Sequence, residues 1–566
     1  MKLKREFTFR LSLFLFFIAF SINALAQSDP TGTSAPTSTY AITNATIIQA
    51  PGKVIESGTL VIKNGLILSI GTNVSIPEDA QEIDGTDLYI YPGFIDGMSY
   101  AGAKRPEAMQ RPSNLFTPDP PNDYAGITPE RSVIDQIDVT ESSIESLRKI
   151  GFTVSHTVPY GRMLPGSGSI ILLSDANHTD HLILRENVSM YTQFSGAPGS
   201  YPGNTLGIMA KWRNLFTNAS YQRVYAQAYS KDPSGLSRPS QDRVIEAFYP
   251  VVAKEKTVFY NANSLLEAQR AIRLKNELNF NLTLGNLEEG WDLVDQIKES
   301  NTNVFMSLNL PDKPKNSTEE DKSDEVVDLE MKRMDAFNRH LNQFGDMKSQ
   351  GITFGFSTMG ATSSKIKANL LAIIEAGLSE NDALSALTID AAKLLGIEST
   401  TGTLDVGKIG NAIISTGPYF EKDSKIKMVF VDGDKYDFEV KENKSGEGVS
   451  ATDEAILLGS WSYTSNTPQG VQNGKMIIEK NGDVLSGVIT NPNGNSDSEL
   501  NNLSFVNGSL SFDYAVELGG QSIEIVIEGD IMGTDFDGEA SISQFNASWA
   551  ITATKDAPEQ KIKETR

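Results

Sequence analysis

The sequence predicts an α/β protein with a parallel sheet or barrel, flanked by additional strands and followed by a separate all-β domain. Three observations carry this. Between about Gly93 and Ile397, short apolar runs alternate with helical stretches, the pattern of βα units. Strand signals precede that region and resume after it. Beyond a polar, Gly/Ser-rich stretch at 441–454, short alternating strands recur between Gly, Asn and Asp turns, which suits a small antiparallel barrel or sandwich over 455–554.

The chain opens with a basic stretch, Lys2, Lys4, Arg5 and Arg10, and an apolar core from Leu11 to Phe20. Ala24-Leu25-Ala26 then fits the small-x-small pattern of signal cleavage. Residues 1–26 are therefore expected to direct export, to a periplasm or outside the cell. The apolar core is shorter than the ~20 residues of a spanning helix, and no later segment reads as a membrane span. Residues 27–39, rich in Ser, Thr, Pro and Gly, read as a tether.

Strand signals follow in "YAITNATIIQ", "GTLVIKNGLILSIG" and "QEIDGTDLYIYPGFID", with Lys63-Asn64-Gly65 as a hairpin turn. The expected core strands of the next region are "GFTVSHTV", "TVFYNAN", "LNFNLTLGN", "NTNVFMSLNL" and "GITFGFS". "SLLEAQRAIRLKNEL" and "LLAIIEAGL" have helical apolar spacing, and Ser379 with Asp382 resembles a capping box for a helix at Ala383. Strands return in "GTLDVGKIGNAIIS" and "KIKMVFVDGDKYDF". The charged tail, 555–566, reads as disordered.

Composition narrows the chemistry. The 566 residues carry 49 Lys and Arg against 72 Asp and Glu, a net charge of −23. Nucleic acid is excluded as a partner, because phosphate binding needs basic patches. The chain has no cysteine, so thiolate nucleophiles and thiolate metal ligands are absent. Its four histidines are His156, His178, His181 and His340. There is no G-x-S-x-G and no P-loop; Gly161 to Ser169 is Gly-rich without a Walker pattern. It reads as a loop near a substrate or as a plain turn.

Residues 40–440 resemble the amidohydrolase superfamily, in particular its imidazolonepropionase-like branch. The resemblance lies in the opening strands that end in "YPGFID", in "GFTVSHTVPYGRMLPGSGSIILLS", and in "AGLSENDALSALTIDAAKLLGIESTTGTLDVGKIGNAIIS". It implies a distorted (β/α)8 TIM barrel over 93–397 and a composite β-sandwich from 40–92 and 398–440. The C-terminal domain resembles a lipocalin-like β module. Such barrels place catalytic residues at the C-terminal ends of their strands, and the family holds zinc or another divalent metal there.

The resemblance places the first two metal-binding histidines at Met98 and Tyr100. It places the next two at Asn261, in "VFYNANS", and Asn286, in "LTLGNLEEGW". The metal-binding aspartate falls at Met359, in "GITFGFSTMGA". Zinc takes Cys, His and carboxylate ligands, and thioether, phenol and neutral amide replace them poorly. Bound metal lowers the pKa of water from ~15.7 to ~7. Losing that shift, at ~1.36 kcal/mol per unit, withdraws on the order of 12 kcal/mol.

Other groups are weaker candidates. Asp96 stands at the right strand end. Glu288 and Glu289 follow Asn286 and either face the barrel mouth or cap the next helix, with capping favoured. His156, in an apolar strand, reads as a core histidine. His178 and His181 form an H-x-x-H within a surface turn, and His340 lies on a polar helix. Trp461, Tyr463 and Trp549 read as core of the last domain. Two functions follow. The first is an exported, metal-free pseudo-enzyme with no cofactor. Its former mouth, lined by Met98, Tyr100, Asn261, Asn286 and Met359, would take a small polar ligand, and its partner could be an active relative. The alternative is an active hydrolase of non-peptide carbon–nitrogen bonds, using relocated ligands or the carboxylates of Asp96, Glu288 and Glu289.

Overall fold

The computed structural model describes residues 38–107, 109–314, 323–438, 456–467, 470–481, 484–490, 497–506, 509–518, 521–542 and 547–556. The expected export segment, most of the tether, the 441–454 linker and nearly all of the tail lie outside them. The chain falls into two compact units. One comprises Met1–Met306, Asn342–Ser357 and Ile374–Phe438; the other comprises Ser307–Leu341, Thr358–Ile373 and Glu439–Arg566.

Among the described residues the strands form three sheets. The first joins both flanks of the barrel region. From the N-terminal side come β1 (Thr39–Ala50), β2 (Lys53–Lys63), β3 (Leu66–Gly71), β4 (Gln81–Asp84) and β5 (Tyr89–Pro92). The expected turn is present, with Asn64 and Gly65 both at positive φ. From the C-terminal side come β14 (Ala412–Ser415), β15 (Ile426–Val431) and β16 (Asp434–Asp437). The hydrogen-bonded order is β16-β15-β14-β5-β1-β2-β3, with β4 beside β1. Tyr91 on β5 lies opposite Ile413 on β14, and Ile47, Leu60, Ile90, Ile414 and Phe430 share one buried cluster.

The chain enters the second sheet at Gly93. A Cβ there would lie 2.2 Å from Thr153 Oγ1, so only glycine allows the approach. The eight strands are β6 (Phe94–Ser99), β7 (Phe152–Thr157), β8 (Gly166–Leu172), β9 (Ile183–Gln193), β10 (Thr257–Asn261), β11 (Leu282–Leu287), β12 (Asn303–Ser307) and β13 (Phe354–Ser357), hydrogen-bonded in that order. The sheet nearly closes: β13 packs back on β6, and Ser357 Oγ donates to the Met98 carbonyl at 2.6 Å.

One strand departs from a (β/α)8 repeat. β8 runs antiparallel to both β7 and β9, whereas β6–β7, β9–β10, β10–β11 and β11–β12 are parallel. The cause is chain length. A parallel return needs a crossover of a dozen or more residues, and the link from Thr157 to Gly166 is short and carries Pro159 and Pro165. The Gly-rich stretch read as a loop or turn is thus half strand.

Helices fill the longer connections. α1 (Ser142–Lys149) precedes β7, α2 (Thr205–Lys231) follows β9, α3 (Leu265–Leu278) follows β10 and α4 (Val294–Ser300) follows β11. α5 (Asp324–Ser349) precedes β13, and α6 (Ser363–Glu375), α7 (Glu380–Leu387) and α8 (Ile389–Leu395) follow it. Ser379 caps α7, accepting from the Asp382 N–H at 3.1 Å. The helix therefore starts at Glu380, three residues before the expected Ala383.

The third sheet is antiparallel, with nine strands from β17 (Gly459–Thr467) to β25 (Ala547–Lys555). β17 pairs with β25. Trp461 is fully buried among Met476, Ile527 and Phe536, and its Nε1 donates to the Leu457 carbonyl at 2.9 Å. Trp549 packs on the same cluster and donates to Ser465 Oγ at 2.7 Å. Tyr463 donates to the Thr490 carbonyl at 2.8 Å. All three aromatics are engaged within the domain.

The barrel interior sets the first test. Cβ atoms at Gly97 and Gly355 would lie 1.9 and 2.4 Å from the Phe305 ring. Gly97→Ala is expected to destabilise the larger unit by about 1–3 kcal/mol. Phe305→Ala should cost about 3–5 kcal/mol, and the double variant less than the sum. Urea unfolding read by hydrogen exchange of β6 and β12 peptides measures this; full additivity would mean the two positions do not compete for one space.

Candidate functional site

The barrel is filled at mid-height. Phe305 from β12 lies over Gly97 and Gly355, and Met98 from β6 lies over Gly285. Phe259 from β10 sits 6.1 Å from Phe305 and 4.3 Å from the His156 ring. His156, fully buried on β7, has both nitrogens satisfied. Nδ1–H donates to the Gly97 carbonyl at 3.0 Å, and Nε2 accepts from Ser189 Oγ at 2.8 Å. Burial lowers its pKa to about 4. It is a neutral core histidine.

Above this layer the C-terminal ends of the strands carry a chain of polar contacts. Met98 is fully buried; a Cβ on Gly285 would lie 2.4 Å from its sulfur. Tyr100, just past β6, stacks on Tyr160 with ring centroids 4.0 Å apart, and the Arg105 guanidinium lies over Tyr160 at 5.1 Å. The Tyr100 hydroxyl bonds the Tyr191 hydroxyl at 3.1 Å, and Tyr191 also donates to Gln193 at 3.3 Å. Asn261, ending β10, hydrogen-bonds Tyr191 through its side chain. Asn286 on β11 is 2 % exposed, and its Nδ2 donates to Asn263 Oδ1 at 3.5 Å. The Oδ1 atoms of Asn261 and Asn286 are buried without a hydrogen-bond partner.

The phenols of Tyr100, Tyr160 and Tyr191 stay protonated at neutral pH. Burial raises the pKa of Tyr100 and lifts that of Tyr191 well above the ordinary value. It moves Tyr160 to about 12. Arg105 also lines a surface cleft of about 550 Å³, with Lys104, Asp135, Asp138 and His178.

The structure links Tyr100 to Tyr191, which Asn261 also approaches, while Asn286 contacts Asn263. Met98 belongs to the filled layer beneath. Met359 is buried at 5 % exposure beyond β13 and falls in the second compact unit. Tyr160, Tyr191, Asn263 and Arg105 went unnoticed in the sequence, because no motif marks them. Register gives the only signal, since Gln193 and Asn261 are paired across β9 and β10.

Two of the three candidate carboxylates, those of Asp96 and Glu289, are engaged in hydrogen bonds within the fold. Asp96 is fully buried and accepts from Ser155 Oγ at 2.7 Å. Glu289 accepts from the Leu265 N–H at 3.0 Å, so it caps α3, the preceding helix, where a cap of the next helix was expected. Beside it, the Glu288 carbonyl and the Gly290 N–H are both held by Gln343 at 2.8 Å. His178 and His181 stand 6.2 Å apart, ring to ring. His340 is helical, with Nδ1 on the Ala336 carbonyl at 3.0 Å. Among the described residues, no three His, Cys, Asp or Glu side chains come together in a way that could hold a metal ion.

Residues 268–435 match the sequence model of the amidohydrolase family. An amidohydrolase from Thermotoga maritima MSB8 shares the fold, with a TM-score of 0.57 and 20% identity over 70% of this chain and 99% of its own. Phenylurea hydrolase B is also similar, at 16% identity over 70% of this chain and 97% of its own, with a TM-score of 0.42. So is a Xaa-Pro dipeptidase, at 15% over 71% and 100%, with a TM-score of 0.40. No curated protein matches in sequence.

The donor set does not fit an amidohydrolase metal. At the positions the resemblance gives to its ligands stand a thioether packed on Gly285, a protonated phenol, two neutral amides and a second thioether. None offers the imidazole or carboxylate that zinc takes.

His156 yields a pH test. The folded protein keeps the ring neutral to about pH 4, while the unfolded chain takes up a proton near pH 6.5. Unfolding is therefore favoured as pH falls. The contribution is complete above pH 6.5 and lost progressively towards pH 4, on the order of 3 kcal/mol in all. His156→Gln should flatten the stability profile in that window; an unchanged slope in urea titrations would place the proton elsewhere.

Proposed function

We propose that this amidohydrolase-family chain is an exported pseudo-enzyme. It holds no catalytic metal, and its barrel mouth binds a small polar ligand. One observation carries the reading. Met98, at the first metal-ligand position, is a fully buried core residue seated on Gly285. The side chains of Tyr100, Tyr191, Asn261 and Asn286 support it, being neutral hydrogen-bonding groups that do not ionise near neutral pH. Export rests on the basic and apolar N-terminal sequence. An active relative as partner stays within the proposal.

The competing reading, an active hydrolase of carbon–nitrogen bonds, needs carboxylates free to exchange protons with a substrate. Asp96 is enclosed beneath the mouth and Glu289 is committed to the N-terminus of α3. Among the described residues, no three His, Asp or Glu side chains converge to serve that reading through a metal.

Metal content decides between them. Protein produced with zinc, manganese and iron available is expected to carry substoichiometric metal by elemental mass spectrometry. The double variant Met98→His/Tyr100→His should stay so, because Asn261, Asn286 and Met359 still supply no ligand. One or two tightly held ions per chain in the natural protein would overturn the proposal, and zinc-dependent turnover by the variant would do the same.

A further inference from the structure

We propose that the outer face of the last turns of α2 docks on the same face of a second copy of this chain, the two helices packing antiparallel. This goes beyond the reading of the barrel mouth and does not depend on it.

α2 changes sides along its length. In its first half the buried residues are Ile208, Met209, Trp212, Leu215, Phe216 and Ala219, the spacing of one helix face. Further on the polarity inverts. Arg223 and Ala226 continue that face and are half-buried. The apolar stripe passes to the opposite side. Tyr221 is 73 % exposed, Val224 64 % and Tyr225 38 %, and Ala228 is exposed after them. These four fall at i, i+3, i+4 and i+7, so they form one contiguous patch rather than scattered apolar residues. The Tyr225 hydroxyl donates to the Ser237 carbonyl at 2.8 Å, one residue from the exposed Leu236. The loop after the helix thereby holds this ring in place.

Charge selects the occupant. The chain carries a net charge of −23, and its copies repel wherever acids cover the surface. Positions 217–228 hold no acid, and their one cation, Arg223, is on the inner side. The stripe is flanked by Asn218, Ser220, Gln222 and Gln227, all uncharged. The other cations of α2 are Lys211, Arg213 and Lys231, and the helix has no acid. An anionic second copy thus meets a neutral contact on a basic helix. The face does not suit a lipid surface, because interfacial helices edge their apolar side with Lys and Arg, and here the edge is amide and hydroxyl.

The stripe is also self-complementary. With the two-fold axis between Val224 and Tyr225, Tyr221 of one copy meets Ala228 of the other, and Val224 meets Tyr225, large against small. Gln222 then faces Gln227, amide against amide. Three helical turns offer well under the ~800 Å² that each partner gives a standard interface, so the dimer is weak and concentration-dependent.

Sedimentation velocity on the full chain, over about a hundredfold range of concentration, tests this. Monomer is expected at the dilute end, with dimer growing towards the concentrated end. Tyr221→Glu and Val224→Glu, both at exposed positions, should each weaken association about tenfold or more and leave thermal unfolding unchanged. Because the chain has no cysteine, the register has a test of its own. Under mild oxidation, Tyr221→Cys and Ala228→Cys proteins should cross-link to each other in a mixture, and neither to itself. Monomer at every concentration, or a dimer indifferent to both glutamate substitutions, would overturn the proposal. Cross-linking of Tyr221→Cys to itself would overturn the antiparallel pairing. Binding of the monomer to phosphatidylglycerol vesicles, lost in Tyr221→Glu, would assign the stripe to a lipid surface and overturn the proposal likewise.

Discussion

The rest of the structure depends on how the nearly closed sheet fills its own interior. A barrel of eight strands leaves room for packed side chains, and an unfilled interior would forfeit contacts along its whole wall. Here the filling is done by few, large groups. Phe305 reaches across to Gly97 and Gly355, and Met98 reaches to Gly285. His156 is pinned between the Gly97 carbonyl and Ser189. Each large side chain is matched to a glycine or serine on another strand. The β6 position that resembles a metal ligand is therefore part of the core. A histidine at Met98 would have to displace that packing before it met any ion.

The same filling fixes the electrostatics above it. A chain with a net charge of −23 keeps this region neutral, with the Arg105 cation over Tyr160 at its edge. The phenols of Tyr100 and Tyr191 face each other rather than a base. Asp96 receives a hydrogen bond from Ser155, which also bonds Ser99. General acid–base chemistry needs a group that changes charge near the working pH and reaches substrate. The residues at this mouth hold their protonation state through neutral pH, a property suited to selective binding.

Much of this was legible in the sequence for a local reason. Alternating helical and strand periodicity marks βα units, and the motif at "YPGFID" marks the first barrel strand, so Met98 and Tyr100 could be placed by counting. What escaped were contacts between distant residues. Glu289 was expected to cap the helix after it, but the partner N–H belongs to Leu265, on the helix before it. The direction of β8 follows from the length of its connections, yet "GSGSIIL" reads equally well as a loop running into a strand. The pairing of Phe305 with Gly97 spans some two hundred positions, and nothing in either local pattern announces it.

The two open amide oxygens then stand out against this economy of packing. Some buried polar atoms of the barrel have partners: His156 has two, and Thr192 both donates to the Met163 carbonyl and accepts from Trp212; the Tyr260 hydroxyl and Thr283 Oγ1, on the same two strands as the amides, have none. An unmet buried acceptor costs about 1–3 kcal/mol, and two of them consume a sizeable part of the 5–15 kcal/mol by which ordinary proteins stay folded. Leucine at either position would fill similar space without that cost. Places where a sequence sets stability aside without local compensation are where function is expected. In this barrel they coincide with the positions from which the resemblance draws its third and fourth metal ligands. At those two positions the chain offers neutral amides in place of imidazole or carboxylate.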